Sequence, residues 1–540
     1  MFILSPKSQV TLISPPKSQV TLISPPKSQV TLILSPKSQV TLFLYFYFFV
    51  LFTVASADSF VSISGLSTPT QVIHDVTTGL LFISEKDGAI KAVNNAFKSS
   101  TLELPTPAFL LALLSVDTDG QHGLTSIAVN GSFLYALYHA SNATNPTCVS
   151  NGVIPPGRSP KDVLGCVTRV ILSRFPIVRN ASSPVGYSLG MEFLLLNSAA
   201  IAVTSNMSLI PSHCSQFGFS GANHILFNST NNLLISVGVG ANEDGPEADI
   251  GQYGGDPCGQ PNQVNSSGFL RAQNNASLMG KIISLSSSSI EAYALDSLNQ
   301  PSLLLSVKVV ATGLRNPWRM AWATSTKHLF VIDPGLENNE ELNEVSSSST
   351  SLNDNAVNFG FPCIQGNATI PSFLTNDLCK NPRTHFTPSS LLYNHPDSRG
   401  TLSALAFDSI RSRFILADYS NAIVFSIPLN FSLSFRTLPF PLTSAAAFAA
   451  GVIVEALPAF ASHIESVQIG EGMSSHLLVD VVKGTVKSRN LWWSTPSPTA
   501  SVSASPSSRT TVASGSTKEV ASMMVMAIVC AMSLGNSAHL

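Results

Sequence analysis

From residue 58 to residue 493 the chain is a succession of short apolar runs, each ended by Gly, Asn, Asp or Ser. GLLFISEKDGAIKAV (79–93), SFLYALY (132–138), NLLISVGVG (232–240), HLFVID (328–333) and RFILADYSNAIVFSI (413–427) show the pattern. Runs of this length bounded by turn formers are strands rather than helices. The first and last contain a polar turn between two apolar stretches and predict hairpins. No long amphipathic helical pattern competes, and strands do not alternate with helices as in a parallel α/β sheet. The chain is therefore expected to be all-β: a sandwich, a barrel or a propeller. A single sandwich of about 100 residues is too small for this segment. A propeller absorbs the length by radial repetition, at about four strands per blade.

The 29 Lys and Arg against 31 Asp and Glu leave a formal net charge of −2, with no basic run. That balance excludes an electrostatic footprint for nucleic acid. Charged residues are 11% of the chain and hydrophobic ones 44%, which argues against disorder over most of the length.

Residues 5–42 repeat a ten-residue unit four times, with Lys7, Lys17, Lys27 and Lys37 each followed by Ser-Gln-Val-Thr-Leu. The period fits no solenoid, and the Pro-Lys in every unit interrupts a continuing strand. Residues 1–40 are thus expected to be low-complexity sequence outside the fold. Residues 41–57 are uncharged and end in Ala55-Ser56-Ala57, the pattern of a secretory signal peptide. A buried strand or a signal anchor would use the same apolar stretch, but the rest of the chain agrees with secretion. Nine Asn-x-Ser/Thr sequons, at Asn130, Asn142, Asn180, Asn206, Asn228, Asn265, Asn275, Asn367 and Asn430, favour a glycosylated extracellular protein.

Six cysteines fall in the expected mature region: Cys148, Cys166, Cys214, Cys258, Cys363 and Cys379. They lack the spacing of a zinc site and predict three disulfides. The shortest loops point to Cys148–Cys166 and Cys363–Cys379, leaving Cys214–Cys258, while Cys530 stands alone. Residues 494–517 are a Ser/Thr/Pro-rich stalk that cannot form a core. Residues 518–540 add a short hydrophobic tail, which reads as the signal for a glycosylphosphatidylinositol anchor attached near Ser514–Ser516 or as a plain apolar terminus. The membrane is expected to be met only through such a lipid.

Within residues 60–430 the runs resemble the glucose/sorbosone dehydrogenase family, which includes quinoprotein sugar dehydrogenases and plant hedgehog-interacting-protein-like proteins. GLLFISEKDGAIKAV resembles that family's first-blade hairpin, GQHGLTSIAV (120–129) its second landmark, and NASLMGKIISLS (275–286) its Leu-x-Gly-Lys-Ile strand. The most specific stretch is GLRNPWRMAW (313–322), LFVIDPGLENNEELNEV (329–345) and NFGFPC (358–363), in order and with the right gaps. The resemblance implies a six-bladed β-propeller like the soluble quinoprotein glucose dehydrogenases, over residues 58–493. It also implies pyrroloquinoline quinone and calcium at the propeller's mouth, a histidine base, and a sugar as partner.

Carried over residue by residue, Gln121 takes a polar position near substrate, and Arg315 and Asn316 match the pair facing the quinone. Gly335 and Leu336 match the positions offering backbone carbonyls to calcium, a hard cation that wants oxygen. Glu337, Glu340 and Glu341 add charge or form a solvated loop. The family's base falls on Ser220 of GFSGANHILF (218–227), and a neutral hydroxyl cannot act as a base without an activating group. His224, four residues on, is either a shifted base or a structural histidine. Gly238-Val239-Gly240 loses the family's carboxylate, and Asn421 stands where many members carry a basic residue. The acidic stretch at 241–249 lacks calcium-loop spacing, and residues 218–222 only approach a hydrolase nucleophile elbow.

Three readings follow. The first is a secreted or surface-anchored, quinone-dependent sugar dehydrogenase. The second is a catalytically degenerate propeller binding a glycan or protein at the cell surface. The third is a calcium-dependent hydrolase or lactonase.

Overall fold

The computed structural model describes residues 19–23, 29–33, 61–63, 65–94, 108–140 except 119, 169–197, 221–240, 268–295 except 276, 307–346 except 336–338, 356–380, 386–394, 401–429 except 422, 436–438, 453–455, 464–469, 475–480 and 485–490. Strands β1 (Gln19–Ile23) and β2 (Gln29–Ile33), the QVTLI stretches of two repeat units, pair antiparallel. The repeat therefore carries strand structure of its own, and β1 ends ahead of Ser24-Pro25, since proline has no N–H to give a ladder. The next strand, β3 (Val61–Ile63), returns below as an edge.

A first sheet runs β4 (Pro69–Asp75), β5 (Leu80–Glu85), β6 (Ala89–Asn94), β7 (Phe109–Leu113). The second holds β8 (Leu124–Asn130), β9 (Phe133–Ala140) and β10 (Arg169–Arg179), with β11 (Tyr187–Leu189) and β12 (Phe193–Asn197) both on β10. The third is β13 (Ala222–Phe227), β14 (Leu233–Val237), β15 (Lys281–Leu285) and β16 (Lys308–Thr312), with a short helix α1 (Ser287–Leu295) after β15. The fourth contains β17 (Arg319–Ala323), β18 (His328–Asp333) and β19 (Asn339–Val345). Then β20 (Val357–Asn358) returns to β16, β21 (Ile364–Gln365) pairs with β22 (Ala368–Thr369), and β23 (Leu391–Asn394) extends β19. The fifth sheet is β24 (Leu402–Asp408), β25 (Arg413–Asp418) and β26 (Ile423–Pro428); β27 (Arg436–Leu438) joins β23 and β28 (Ile453–Glu455) joins β26. A sixth sheet, described by its backbone, is β29 (Ile464–Ile469), β30 (Ser475–Asp480) and β31 (Thr485–Asn490), edged by β3.

The first strands of consecutive sheets lie side by side, β4 against β8, β8 against β13, β13 against β17 and β17 against β24. This is an all-β propeller arrangement, as the sequence leads one to expect. Its core is a set of apolar layers between neighbouring sheets. Phe82, Leu134 and Phe175 fill one layer; Leu137, Ile225 and Ile283 fill the next. Phe330 meets Phe414 at 4.3 Å between the fourth and fifth sheets. Each such burial contributes about 1.5–3 kcal/mol.

Two local devices recur from sheet to sheet. At the far end, the turn between first and second strand places one residue in the left-handed region: Gly79 (φ 72°), Gly131 (59°), Asn231 (58°), Lys327 (59°) and Ser412 (50°). Asp75, Asn228 and Asp408 begin three of these turns and accept backbone N–H groups from inside them, which in the last two offsets the cost of a non-glycine left-handed residue.

At the near end, β4, β8, β13 and β24 each open with a bulge, at Thr70, Thr125, Asn223 and Ser403. Neighbouring first strands do not pair through their backbones, so their facing polar groups need side-chain partners. The bulge residue supplies one. Thr70 Oγ1 donates to the Leu124 carbonyl (2.8 Å), Thr125 Oγ1 to Ala222 (2.9 Å) and Asn223 Nδ2 to Pro317 (3.2 Å). The following residue supplies the other. Gln71 Oε1 accepts from the Ile127 N–H (2.9 Å), Ser126 Oγ from Ile225 (3.0 Å) and His224 Nδ1 from Met320 (3.2 Å). Each junction between the first four sheets is thus closed by the same two-bond latch.

Candidate functional site

Because the first and second strands of each sheet are antiparallel, the loop entering a first strand lies beside the end of the second strand. In the fourth sheet that second strand ends in Asp333. Its carboxylate accepts the backbone N–H of Arg315 at Oδ2 (2.9 Å) and of Asn316 at Oδ1 (2.6 Å), fixing the Gly-Leu-Arg-Asn-Pro loop. Glu85 and Asp418 do the same for Ser67 and Thr401 in their own sheets. Asp333 is buried, and burial first, then the facing Glu341 carboxylate, pushes its pKa up to about 8. Burial raises the Glu341 carboxyl too, against the hydrogen bonds it accepts from Asn343 Nδ2 (2.9 Å) and the Gly366 N–H.

The loop so held carries two of the sequence-predicted residues, and one of them, Asn316, meets a third. Asn316 Nδ2 donates to Gln121 Oε1 (3.3 Å), and Asn316 Oδ1 accepts from Asn223 Nδ2 (2.7 Å). Gln121 is half-buried while Asn316 is 2% exposed. Arg315 turns its guanidinium onto the following strand end, where Nη1 donates to the carbonyls of Pro334 (2.8 Å) and Gly335 (3.2 Å). Gly335 is itself packed tightly: a Cβ there would lie 1.9 Å from the Asn339 carbonyl and 2.5 Å from Gln365 Nε2. Leu336, the second calcium position, and Glu337 lie outside the described residues, as do Ser220 and the acidic stretch 241–249. Glu340 is described and accepts the Leu402 N–H (3.1 Å), so it serves the fold.

His224 makes its hydrogen bonds with neither Gln121 nor Arg315. It is 7% exposed in the latch region, with Nδ1 bonded to Met320 and Nε2 3.3 Å from Gln71 Nε2. Burial, then the Arg319 guanidinium, hold its pKa well below the usual imidazole value. Asn421, where the family pattern has a basic residue, donates to Asp418 Oδ2 (2.8 Å). Val239, between the two glycines that lose the carboxylate, is wholly buried, and its N–H donates to the Arg315 carbonyl (2.8 Å).

Sequence reasoning passed over His122, His139 and Asp117. The two imidazoles stack at 4.5 Å, His122 Nδ1 lies 3.3 Å from Asp117 Oδ2, and His139 Nε2 accepts the Ala222 N–H (3.2 Å). Gly221 must be glycine here, since a Cβ would lie 2.4 Å from His139 Nε2. The available signal was His122 itself, directly after Gln121. The Cys363–Cys379 disulfide is formed, as expected from its short loop, and it ties the β21–β22 hairpin whose Gly366 N–H meets Glu341. The other cysteines lie outside the described residues. Among the described residues no three His, Cys, Asp or Glu converge as metal ligands, and no helix is long and apolar enough to cross a membrane.

The groups that the sequence resemblance implies, calcium and quinone, would meet oxygens and amides here that already have protein partners. The Gly335 carbonyl that would face calcium already accepts from a guanidinium, and Gln121 and Asn316 hydrogen-bond each other.

No protein-family model and no curated protein sequence matches the chain. Among solved structures, it is similar to an oxidoreductase (glucose dehydrogenase) of Thermus thermophilus, at 16% identity and TM-score 0.47 over 81% of this chain and 100% of that one. The apo soluble aldose sugar dehydrogenase of Escherichia coli gives 14%, 0.48, 81% and 100%. The holo PQQ domain of a Coprinopsis cinerea pyranose dehydrogenase gives 12%, 0.47, 81% and 96%.

Proposed function

We propose that the chain is a glucose/sorbosone dehydrogenase-like, six-bladed propeller that binds a sugar or cell-surface glycan at the Gln121–Asn316 face, without quinone-dependent turnover. The observation that carries this reading is the place of His224. It occupies the same latch position as Gln71 and Ser126, which supports reading it as part of the fold rather than as a shifted base. The half-buried Gln121 amide, backed by the buried Asn316, both donates and accepts, which suits recognition of sugar hydroxyls. The sixth blade is supported by β29, which lies against both β24 and β4.

Titration calorimetry of the purified full chain against a panel of aldoses and oligosaccharides tests the reading. Binding weakened about tenfold or more in Gln121→Ala, a loss typical of removing a paired polar contact, is the expected result. Dye reduction by protein loaded with pyrroloquinoline quinone and calcium, with an aldose as donor, would overturn it in favour of the dehydrogenase.

In the same reading the protein is extracellular, led out by residues 41–57 and anchored through its C-terminal tail. The Cys363–Cys379 bond suits an oxidising compartment, and release by a phosphatidylinositol-specific phospholipase tests the anchor. The sequons then divide by structure. Asn275 and Asn367 are exposed, whereas Asn228 is 6% exposed and its Oδ1 accepts from Thr230 and Asn232 within a turn. Glycopeptide mapping of the secreted protein is expected to find Asn275 and Asn367 occupied and Asn228 bare. Glycan on Asn228 of folded protein would contradict the turn.

A further inference from the structure

We propose that Arg315 acts as a built-in cation on the Asp333–Gly335 strand end, making this propeller independent of calcium where the resemblance implies dependence on it. Calcium takes about six to eight oxygen ligands. Six oxygens gather here, and each already has a donor from the protein. Arg315 Nη1 serves the Pro334 and Gly335 carbonyls. The N–H groups of Arg315 and Asn316 serve the two oxygens of Asp333. The Gly366 N–H and Asn343 Nδ2 serve those of Glu341.

The arrangement cannot easily be turned to hold a metal. The guanidinium is fixed at its carbonyls by two hydrogen bonds and would repel a second cation placed at the same oxygens. Gly335 also admits no side chain, because a Cβ there would meet the Asn339 carbonyl and Gln365 Nε2. One positive charge therefore already faces the buried acidic pair Asp333 and Glu341, which are cross-strand partners. Arg315 is a positioning residue in this account, and the inference does not depend on whether the face binds a saccharide.

The test is thermal unfolding of the purified full chain in millimolar calcium, millimolar magnesium and chelator. The wild-type midpoint is expected to move by less than about 1 °C between calcium and chelator, since a cation that does not bind cannot shift it. Arg315→Ala uncovers the carbonyls and is expected to be restored by calcium, but not magnesium, by about 4 °C or more. A wild type that loses several degrees in chelator and regains them in calcium overturns the inference. So does an Arg315→Ala protein that folds and ignores calcium. If Arg315→Ala is recovered only when calcium is present during expression, the inference is supported. If it is not recovered at all, terbium luminescence of the wild type decides: no saturable emission supports it, and saturable emission displaced by calcium overturns it. Neither readout involves sugar, so this inference and the saccharide reading fail separately.

Discussion

Replacing Arg319 with Leu is expected to cost about 3–5 kcal/mol of stability, because three carbonyls lose a donor while staying buried, at about 1–3 kcal/mol for each. Arg319 is 3% exposed at the start of β17. Its Nη1 donates to the carbonyls of Asn223 (2.9 Å) and Trp318 (3.4 Å), its Nη2 to that of Thr70 (3.2 Å), and its guanidinium lies 5.1 Å from the Trp318 ring centroid. One fork thus joins the first strands of the first, third and fourth sheets. Thr70 and Asn223 are the bulge residues that latch those sheets to their neighbours. Losing the fork therefore loosens the junctions as well as leaving carbonyls without their donor. Arg319→Lys keeps the charge without the planar fork and is expected to recover only part of the loss. Denaturant unfolding of the three proteins measures this, and a Leu variant within about 1 kcal/mol of wild type would show that the fork is dispensable. In the Arg319→Lys protein, His224 still faces a cation and stays neutral. In the Leu variant, where it folds, the His224 pKa should rise, because burial then acts alone.

These same residues mark the limit of what could be read from the sequence. Short apolar runs and turn formers made the strands visible, since a strand's pattern is local. Gly-Leu-Arg-Asn-Pro and Asp333-Pro-Gly335 were visible as a unit, and the hydrogen bonds from Arg315 and Asn316 to Asp333 explain why they occur together. The latch was not visible. Thr70-Gln71, Thr125-Ser126 and Asn223-His224 have no residue type common to all three. They share only a position at a bulge and the step past it, and a bulge is a property of pairing between strands rather than of either strand. Read singly, His224 resembled a displaced base; aligned on the bulge, it is the third member of a series. The repeat of the fold was hidden for a related reason. The connections between strands differ greatly in length, as from β9 to β10 and from β14 to β15, so no fixed sequence period survives. The QVTLI repeat, which has a strict period, was legible as a repeat but not as paired strands, because pairing needs a partner that a period alone does not specify.

The pH dependence of the site gives the second large effect. Asp333 titrates near 8 in the folded chain against an ordinary value of 3.8, so between about pH 4 and pH 8 the folded state holds a proton that the unfolded state has released. Stability from this group is therefore highest at acid pH and falls as pH rises through that window, the reverse of a salt-bridged carboxylate. Burial is the main cause and the Glu341 charge the next, which makes Glu341→Gln the informative change. The variant keeps an oxygen for the Gly366 N–H. Its new amide nitrogen faces Asn343, whose buried Oδ1 has no hydrogen-bond partner at present. A flip of the Asn343 amide turns that oxygen to accept from the new side-chain amide, so the number of bonds is kept while the like charge is lost. With one carboxylate gone, Asp333 should ionise at lower pH. Glu341→Gln is expected to match wild type near pH 5 and to exceed it by about 1–2 kcal/mol near pH 8.5, a shift of roughly one pKa unit. Urea unfolding at several pH values distinguishes the cases. Because Glu341 is itself raised by burial, the substitution also removes its own cost of ionising; parallel curves would mean that neither that cost nor the shared charge shapes the pH dependence, and a variant weaker at every pH would mean that Asn343 cannot turn.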